Sequence, residues 1–190
     1  MNVPPNAPVV YVSFSAEIIP STTESLIAVM ANCANMQVQQ VYLLISTPGG
    51  SVMNGMNLHN VLIGMPFELV THNVGNVDSI GNAVFLAGKK RYATYNATFM
   101  FHGVGFTSSP NQRFEEKDIR ERYLSILSDQ KRIGDVFTKY TRITSEETEL
   151  LFREAQTKDV SFAIDKGIIN EVRDVQIPAG CPVVSLVFNR

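Results

Sequence analysis

Val41-Tyr42-Leu43-Leu44-Ile45-Ser46-Thr47-Pro48-Gly49-Gly50-Ser51 is the stretch whose reading decides the fold. The run 41–46 is apolar almost throughout, the pattern of a strand covered on both faces. It breaks into Pro-Gly-Gly, where glycine lets the backbone bend sharply and present a bare N–H to a ligand. Such an amide can hold an oxyanion. From Ser51 to Met65 the pattern turns helical, with Val52, Met56, Val61 and Leu62 inward.

A second stretch has matching chemistry. Residues 68–74 read as a strand, Gly75-Asn76-Val77-Asp78 as a turn and 80–87 as an apolar helical segment, which puts Ser79 at a helix N-terminus. Unpaired amides and the positive end of the helix dipole favour negative charge there. A serine so placed attacks a carbonyl while the Ile80 amide steadies the oxygen. It needs a base, and histidine titrates in the right range. Of three histidines, His59 falls in the helix after Pro-Gly-Gly and His72 inside a strand, where buried, hydrogen-bonded roles are the ordinary reading. His102 stands where the run 97–101 gives way to Gly103, and a loop frees it.

Leu44-Ile45-Ser46-Thr47-Pro48-Gly49-Gly50-Ser51-Val52, Ser79-Ile80-Gly81, Leu86-Ala87-Gly88, Lys90-Arg91, Asn96-Ala97 and Met100-Phe101-His102 resemble, in this order and spacing, the proteolytic subunit of the Clp protease. The similarity spans 41–102, with a weaker echo in Ala163-Ile164-Asp165-Lys166-Gly167-Ile168-Ile169. The resemblance implies an α/β fold of the Clp protease and crotonase type, a spiral of β-β-α units. It matches Ser79 to the nucleophile, His102 to the general base, and the amides of Gly50 and Ile80 to the oxyanion hole. It also implies polypeptide substrates and a homo-oligomer.

The chain departs from that pattern in three places. Asp78 stands where the family has a small residue, and a carboxylate beside the nucleophile opposes a developing oxyanion unless it points away. Counting back from Gly167 without gaps puts Ala155 at the family's catalytic aspartate. Asp159 is then the nearest aspartate for orienting His102 and Glu154 the second choice, while the structural reading of Asp159 is an N-cap for the helix through Ile164. Only eight residues precede the first expected strand, 9–13, whereas the family uses a longer segment there to meet an ATP-driven unfoldase. Partnership with an unfoldase is therefore not expected.

Composition sets outer limits. A chain of 190 residues with 45% hydrophobic content is expected to fold as one domain, 1–190, with a core that needs no staples. The net charge of −2 and a single basic triplet, Lys89-Lys90-Arg91, argue against nucleic acid as partner. The triplet reads as a solvated turn before a strand. Cys33 and Cys181 are far apart and make no metal spacing, and nothing calls for a metal or other cofactor. With no apolar run of membrane-spanning length and no signal-peptide pattern at the start, the expected location is the cytoplasm.

The remaining pattern is alternating α/β. Pro20-Ser21-Thr22-Thr23-Glu24 reads as a capping box with Ser21 and Glu24 as its partners, opening a helix with Leu26, Ile27, Met30 and Ala34 on one face. Residues 113–140 read as a long helix with a seam at Ile119, Tyr123, Ile126, Gln130, Ile133, Phe137 and Tyr140. About 28 residues would run about 42 Å, beyond the about 30 Å of a small domain, so part of this helix should protrude and meet another copy of the chain. The alternative is a bend near Gly134 that folds it back. The Clp resemblance favours subunit packing through this helix.

Residues 103–111 read as a loop beside the site, at the position where the family pairs substrate peptide as an added strand. Phe106 is placed to line a pocket or to pack the loop. The tail 181–188 reads as a further strand.

These readings converge on acyl transfer: a serine peptidase in which Ser79 attacks, His102 accepts the proton and a carboxylate sets the imidazole's tautomer. A non-catalytic peptide-binding scaffold of the same fold is the first alternative. An acyl-CoA-handling relative of the crotonase type is the second, disfavoured by retention of both Ser79 and His102.

Overall fold

The computed structural model describes residues 3–188. Its elements are β1 (Val9–Ser15), α1 (Pro20–Asn35), β2 (Gln40–Thr47), α2 (Val52–Ile63), β3 (Glu68–Asp78), α3 (Gly81–Phe85), β4 (Lys90–Ala93), β5 (Thr98–Met100), α4 (Glu116–Tyr140), α5 (Ser145–Glu154), β6 (Thr157–Lys158), α6 (Val160–Asp165), β7 (Glu171–Val172) and β8 (Val183–Ser185). The strands form one sheet in the order β6-β5-β3-β2-β1-β8, with β4 and β7 branching from β3. Pairing is parallel except between β5 and β6.

Strand β2 carries apolar side chains on both faces because both are covered. Val41, Leu43 and Ile45 join Val10, Val12, Phe14 of β1 and Leu26, Met30, Leu58 and Leu62 of α1 and α2 in the main core. Tyr42 and Leu44 face the other way, into a second cluster with Tyr11 and Val70, against which Val175 and Cys181 pack. There Tyr11 and Tyr42 stack with ring centroids 4.9 Å apart. The Tyr42 hydroxyl lies 3.0 Å from His72 Nδ1, and His72 Nε2 lies 3.0 Å from the Arg173 carbonyl. His72 is thus a buried structural residue, as is His59, whose Nδ1 lies 2.7 Å from the Ala83 carbonyl.

Several boundaries differ from the sequence reading, each for a local reason. Helix α1 starts at Pro20 with Ile19 as N-cap, and Thr22 Oγ1, not Ser21 or Glu24, accepts the Ile19 amide at 3.0 Å. Proline at the first helical position needs no hydrogen bond for its nitrogen, so the helix begins there. Strand β3 runs through the expected turn at 75–78, because it changes neighbour: Val70–Asn73 pair with β4, then Asn76–Asp78 pair with β5. A register shift opposite Ile45 and Thr47 absorbs the irregularity.

The long helix begins at Glu116 rather than 113 and continues unbroken through Gly134 to Tyr140. Gly134 serves packing instead, since an added Cβ would sit 3.4 Å from Thr148 Cγ2 of α5. The seam divides in two. Ile133, Val136 and Phe137 are buried, whereas Ile119, Tyr123, Leu124 and Leu127 are exposed on the N-terminal half. At 25 residues the helix spans about 37 Å.

Arg91 also corrects the sequence reading of a solvated turn. Its guanidinium donates to the carbonyls of Gly88, Tyr140, Gly167 and Ile168, tying β4 to the end of α4 and the loop after α6. The tail after Ile177 completes the chain's own sheet, with β8 parallel to β1. Cys33 and Cys181 are both free thiols. No helix among the described residues is long and apolar enough to cross a membrane.

Candidate active site

The bend after β2 is built to approach the residue that follows β3. Gly49 and Gly50 have φ of +88° and +142°, a region costly for residues with a Cβ. A Cβ on Gly49 would fall 2.7 Å from Ser79 Cβ, and one on Gly50 would fall 2.4 Å from the Ile18 carbonyl oxygen. Ile18 in turn fixes the bend: its amide donates to the Gly49 carbonyl at 2.7 Å and its carbonyl accepts the Ser51 amide at 2.9 Å. The amide between, that of Gly50, donates to no protein acceptor among the described residues.

Ser79 occupies the sharp turn between β3 and α3 with φ of +57°. A non-glycine residue held in this region costs about 1–3 kcal/mol and persists only where its surroundings enforce it. They do so here. The Ser79 amide donates to the Met100 carbonyl at 2.8 Å, and the Ser79 carbonyl accepts both the Asn82 amide and Asn82 Nδ2 at 3.1 Å. Asn82 Nδ2 also reaches the Met100 carbonyl at 2.8 Å, so one buried amide clamps the serine turn to β5. The signal for Asn82 in the sequence is a polar residue within the apolar segment 80–87.

Helix α3 has only five residues, shorter than the expected 80–87 segment. Its macrodipole is correspondingly small, and what remains at its start is a local donor. The Ile80 amide, like that of Gly50, has no protein acceptor among the described residues.

His102 follows β5. The chain here is held on one side by β6 and α5: Phe101 donates to the Gln156 carbonyl and Gly103 to the Phe152 carbonyl, both at 2.9 Å. His102 itself is exposed, with Nδ1 2.7 Å from the Gly103 carbonyl. A carbonyl can only accept, so Nδ1 carries the proton, and in the neutral ring Nε2 keeps its lone pair. Gln130, the polar break in the α4 seam, packs against Gly103, where an added Cβ would meet its Nε2 at 2.6 Å.

Ser79, Ile80, Gly50 and His102 line one cleft of about 290 Å³. Its apolar wall comes from Val104, Phe106, Ile133, Phe137 and Phe152. Phe106 does both things expected of it, lining the cleft while stacking on Arg122, whose guanidinium carbon lies 4.6 Å from the ring centroid and 5.0 Å from that of Phe114. Residues 103–109 form no strand.

Neither Asp159 nor Glu154 is among the residues lining the cleft. Asp159 is the N-cap of α6, its Oδ1 accepting the Phe162 amide at 2.9 Å. The Glu154 carboxylate is hydrogen-bonded by the Gln156 side chain. Ala155 ends α5 in the left-handed region at φ of +50°. Asp78 is half-buried at the end of β3, with Asn76 Nδ2 2.6 Å from its Oδ2. Burial raises its pKa, opposed by the Asn76 hydrogen bond, the Met100 amide and the positive charge available on His102. Among the described residues no cluster of His, Cys, Asp and Glu could hold a metal ion.

The family model for Clp protease matches residues 10–176 of the chain. A curated relative, the ATP-dependent Clp protease proteolytic subunit 1 of Leifsonia xyli subsp. xyli, is 29% identical over 142 residues, covering 72% of this chain and 68% of its own length. A solved structure of a ClpP1 variant from Listeria monocytogenes superposes with a TM-score of 0.76 at 21% identity, covering 87% of this chain and 92% of its own. That likeness shows the fold, the crotonase-like α/β spiral expected from the sequence.

Proposed function

Since the chain belongs to the Clp protease family of serine peptidases, we propose that it hydrolyses peptide bonds with Ser79 as nucleophile and His102 as general base. The observation that carries this reading is the single cleft shared by Ser79, His102, Gly50 and Ile80. In the first step Ser79 Oγ attacks the scissile carbonyl carbon, and its proton passes to His102 Nε2, the nitrogen left bare by the Gly103 contact. The carbonyl oxygen, now negative, takes the two amides of Gly50 and Ile80 that no protein group occupies. As the intermediate collapses, the imidazolium returns the proton to the leaving amine, and water repeats the sequence on the acyl-enzyme. One oxyanion donor is worth about 100- to 1000-fold in rate, so the shape of the 49–50 bend matters as much as the side chains.

The apolar wall of Ile133, Phe137 and Phe152 suits an uncharged side chain of a polypeptide beside the scissile bond. The chain acts as a homo-oligomer, with the exposed face of α4 at Ile119, Tyr123, Leu124 and Leu127 covered by another copy.

A serine-directed fluorophosphonate tests the reading. The wild-type protein acquires label on Ser79 and Ser79→Ala does not. Equal labelling of the two would remove Ser79 from the chemistry.

A further inference from the structure

The position of Asp78 relative to His102 follows from strand geometry. In the parallel ladder of β3 and β5, Val77 pairs with Phe99 and Asp78 with Met100. Paired residues of neighbouring strands point to the same face, and residues two apart on one strand share a face. Burial follows this alternation: Val77, Phe99 and Phe101 are buried, while Asp78 and Met100 are half-buried and His102 exposed. Asp78 and Met100 thus project from the same side of the sheet, and His102, two residues beyond the end of β5, is near enough for its charge to act on the Asp78 carboxylate. A strand spacing of about 4.8 Å combined with a two-residue rise of about 6.6 Å puts the α-carbons of Asp78 and His102 about 8 Å apart, within reach of two side chains directly or through one water.

The other carboxylates considered for His102 are engaged elsewhere, Asp159 with the Phe162 amide and Glu154 with Gln156. Asp78 is oriented by Asn76, whose own amide is fixed by Ser46 Oγ at 3.0 Å and by the Thr47 carbonyl at 3.2 Å. A side chain so held is pre-organised, as an electrostatic partner in catalysis needs to be.

We propose that Asp78 is a positioning residue for the reaction: its carboxylate faces His102 across the strand pair and stabilises, through its charge, the imidazolium formed when Ser79 gives up its proton. The inference rests on the Ser79–His102 reading above. No proton moves to Asp78; the proton travels from Ser79 Oγ to His102 Nε2 and on to the leaving amine. The half-buried carboxylate then costs stability when no imidazolium faces it, which agrees with its raised pKa.

The test compares fluorophosphonate labelling of wild type, Asp78→Asn, Asp78→Glu and Ser79→Ala, with melting temperatures at pH 7. For Asp78→Asn the expected result is an inactivation rate constant about 100-fold lower at unchanged probe affinity. Its melting temperature should equal or exceed that of wild type, because a buried charge has been removed. Asp78→Glu should recover part of the rate. A wild-type rate in Asp78→Asn, with Ser79→Ala unlabelled, would overturn the role of Asp78 and leave the serine peptidase reading intact. So would a lowered melting temperature in both Asp78 variants in step with the lost rate, which marks a purely structural residue. Labelling of Ser79→Ala at the wild-type rate would overturn both.

Discussion

Gly49 and Ser79 are packed so closely that a Cβ on the glycine would lie 2.7 Å from the serine's Cβ and 3.3 Å from its Oγ. The two residues lie thirty positions apart, on the turns that follow β2 and β3, and each has a positive φ. Their contact packs the bend after β2 against the serine turn after β3.

Gly49→Ala should therefore damage the site more than the fold. The added methyl meets Ser79 and the Asp78 carbonyl at 2.8 Å, and the backbone conformation is itself unfavourable for alanine. A destabilisation of about 1–3 kcal/mol is expected, with labelling of Ser79 reduced far more than the helical circular dichroism signal. Normal labelling would show that the bend relaxes without cost to the hydroxyl.

Arg91 should behave as an internal brace. Removing its guanidinium in Arg91→Ala leaves the carbonyls of Gly88, Tyr140, Gly167 and Ile168 without that donor. Urea unfolding should report a loss of about 3 kcal/mol. Arg91→Lys should recover little, because one ammonium cannot reproduce the planar fork. Near-complete rescue by lysine would mean that charge, not the fork, is what the site needs.

Acid should destabilise the fold through two buried histidines. Burial pushes the pKa of both His59 and His72 below 6.5, so the folded state binds fewer protons than the unfolded chain. Their contribution is fully present above pH 6.5 and is lost as pH falls toward their depressed folded values. In His72 the Tyr42 hydroxyl donates to a bare Nδ1 while Nε2–H donates to the Arg173 carbonyl, an arrangement open only to the neutral ring. Melting temperature should drop between pH 7.5 and pH 5.5, and His72→Gln should flatten that slope. An unchanged slope in the variant would exclude His72 from the effect.

Charge on the open face of α4 should separate subunits without unfolding them. Tyr123 and Leu127 lie four residues apart on that face and are exposed in the isolated chain. Tyr123→Asp combined with Leu127→Asp should lower the mass measured by sedimentation while leaving the melting profile cooperative. An unchanged assembly would place the subunit contact elsewhere.

Asp159→Ala should cost about 1 kcal/mol, the usual value of an N-cap, read as a shift in urea midpoint. No loss would mean that the Phe162 amide finds another acceptor.

Much of this was legible in the chain itself. Apolar runs and Pro-Gly-Gly at 48–50 marked the strand buried on both faces and its sharp end, because burial and freedom at positive φ are properties of residue type. The order of the motifs around Gly50, Ser79 and His102 pointed to the family and to the residues that share the cleft. The seam on α4 announced a helix too long to be covered by its own body, although which half stays open depended on where α5 packs.

Tertiary structure decided what depends on distance between remote segments. Arg91 looked solvated because its acceptors, at Tyr140 and Gly167, are far along the chain. Strand β3 outran its expected turn because it gains β5 as a second partner. Asn82 became a clamp only once Met100 lay beside the serine turn. The sequence alone determined which side chains and which bend are available for catalysis, since these are local chemistry. Which carboxylate lies near His102 is a matter of strand register, and register is set by the packing of the whole sheet.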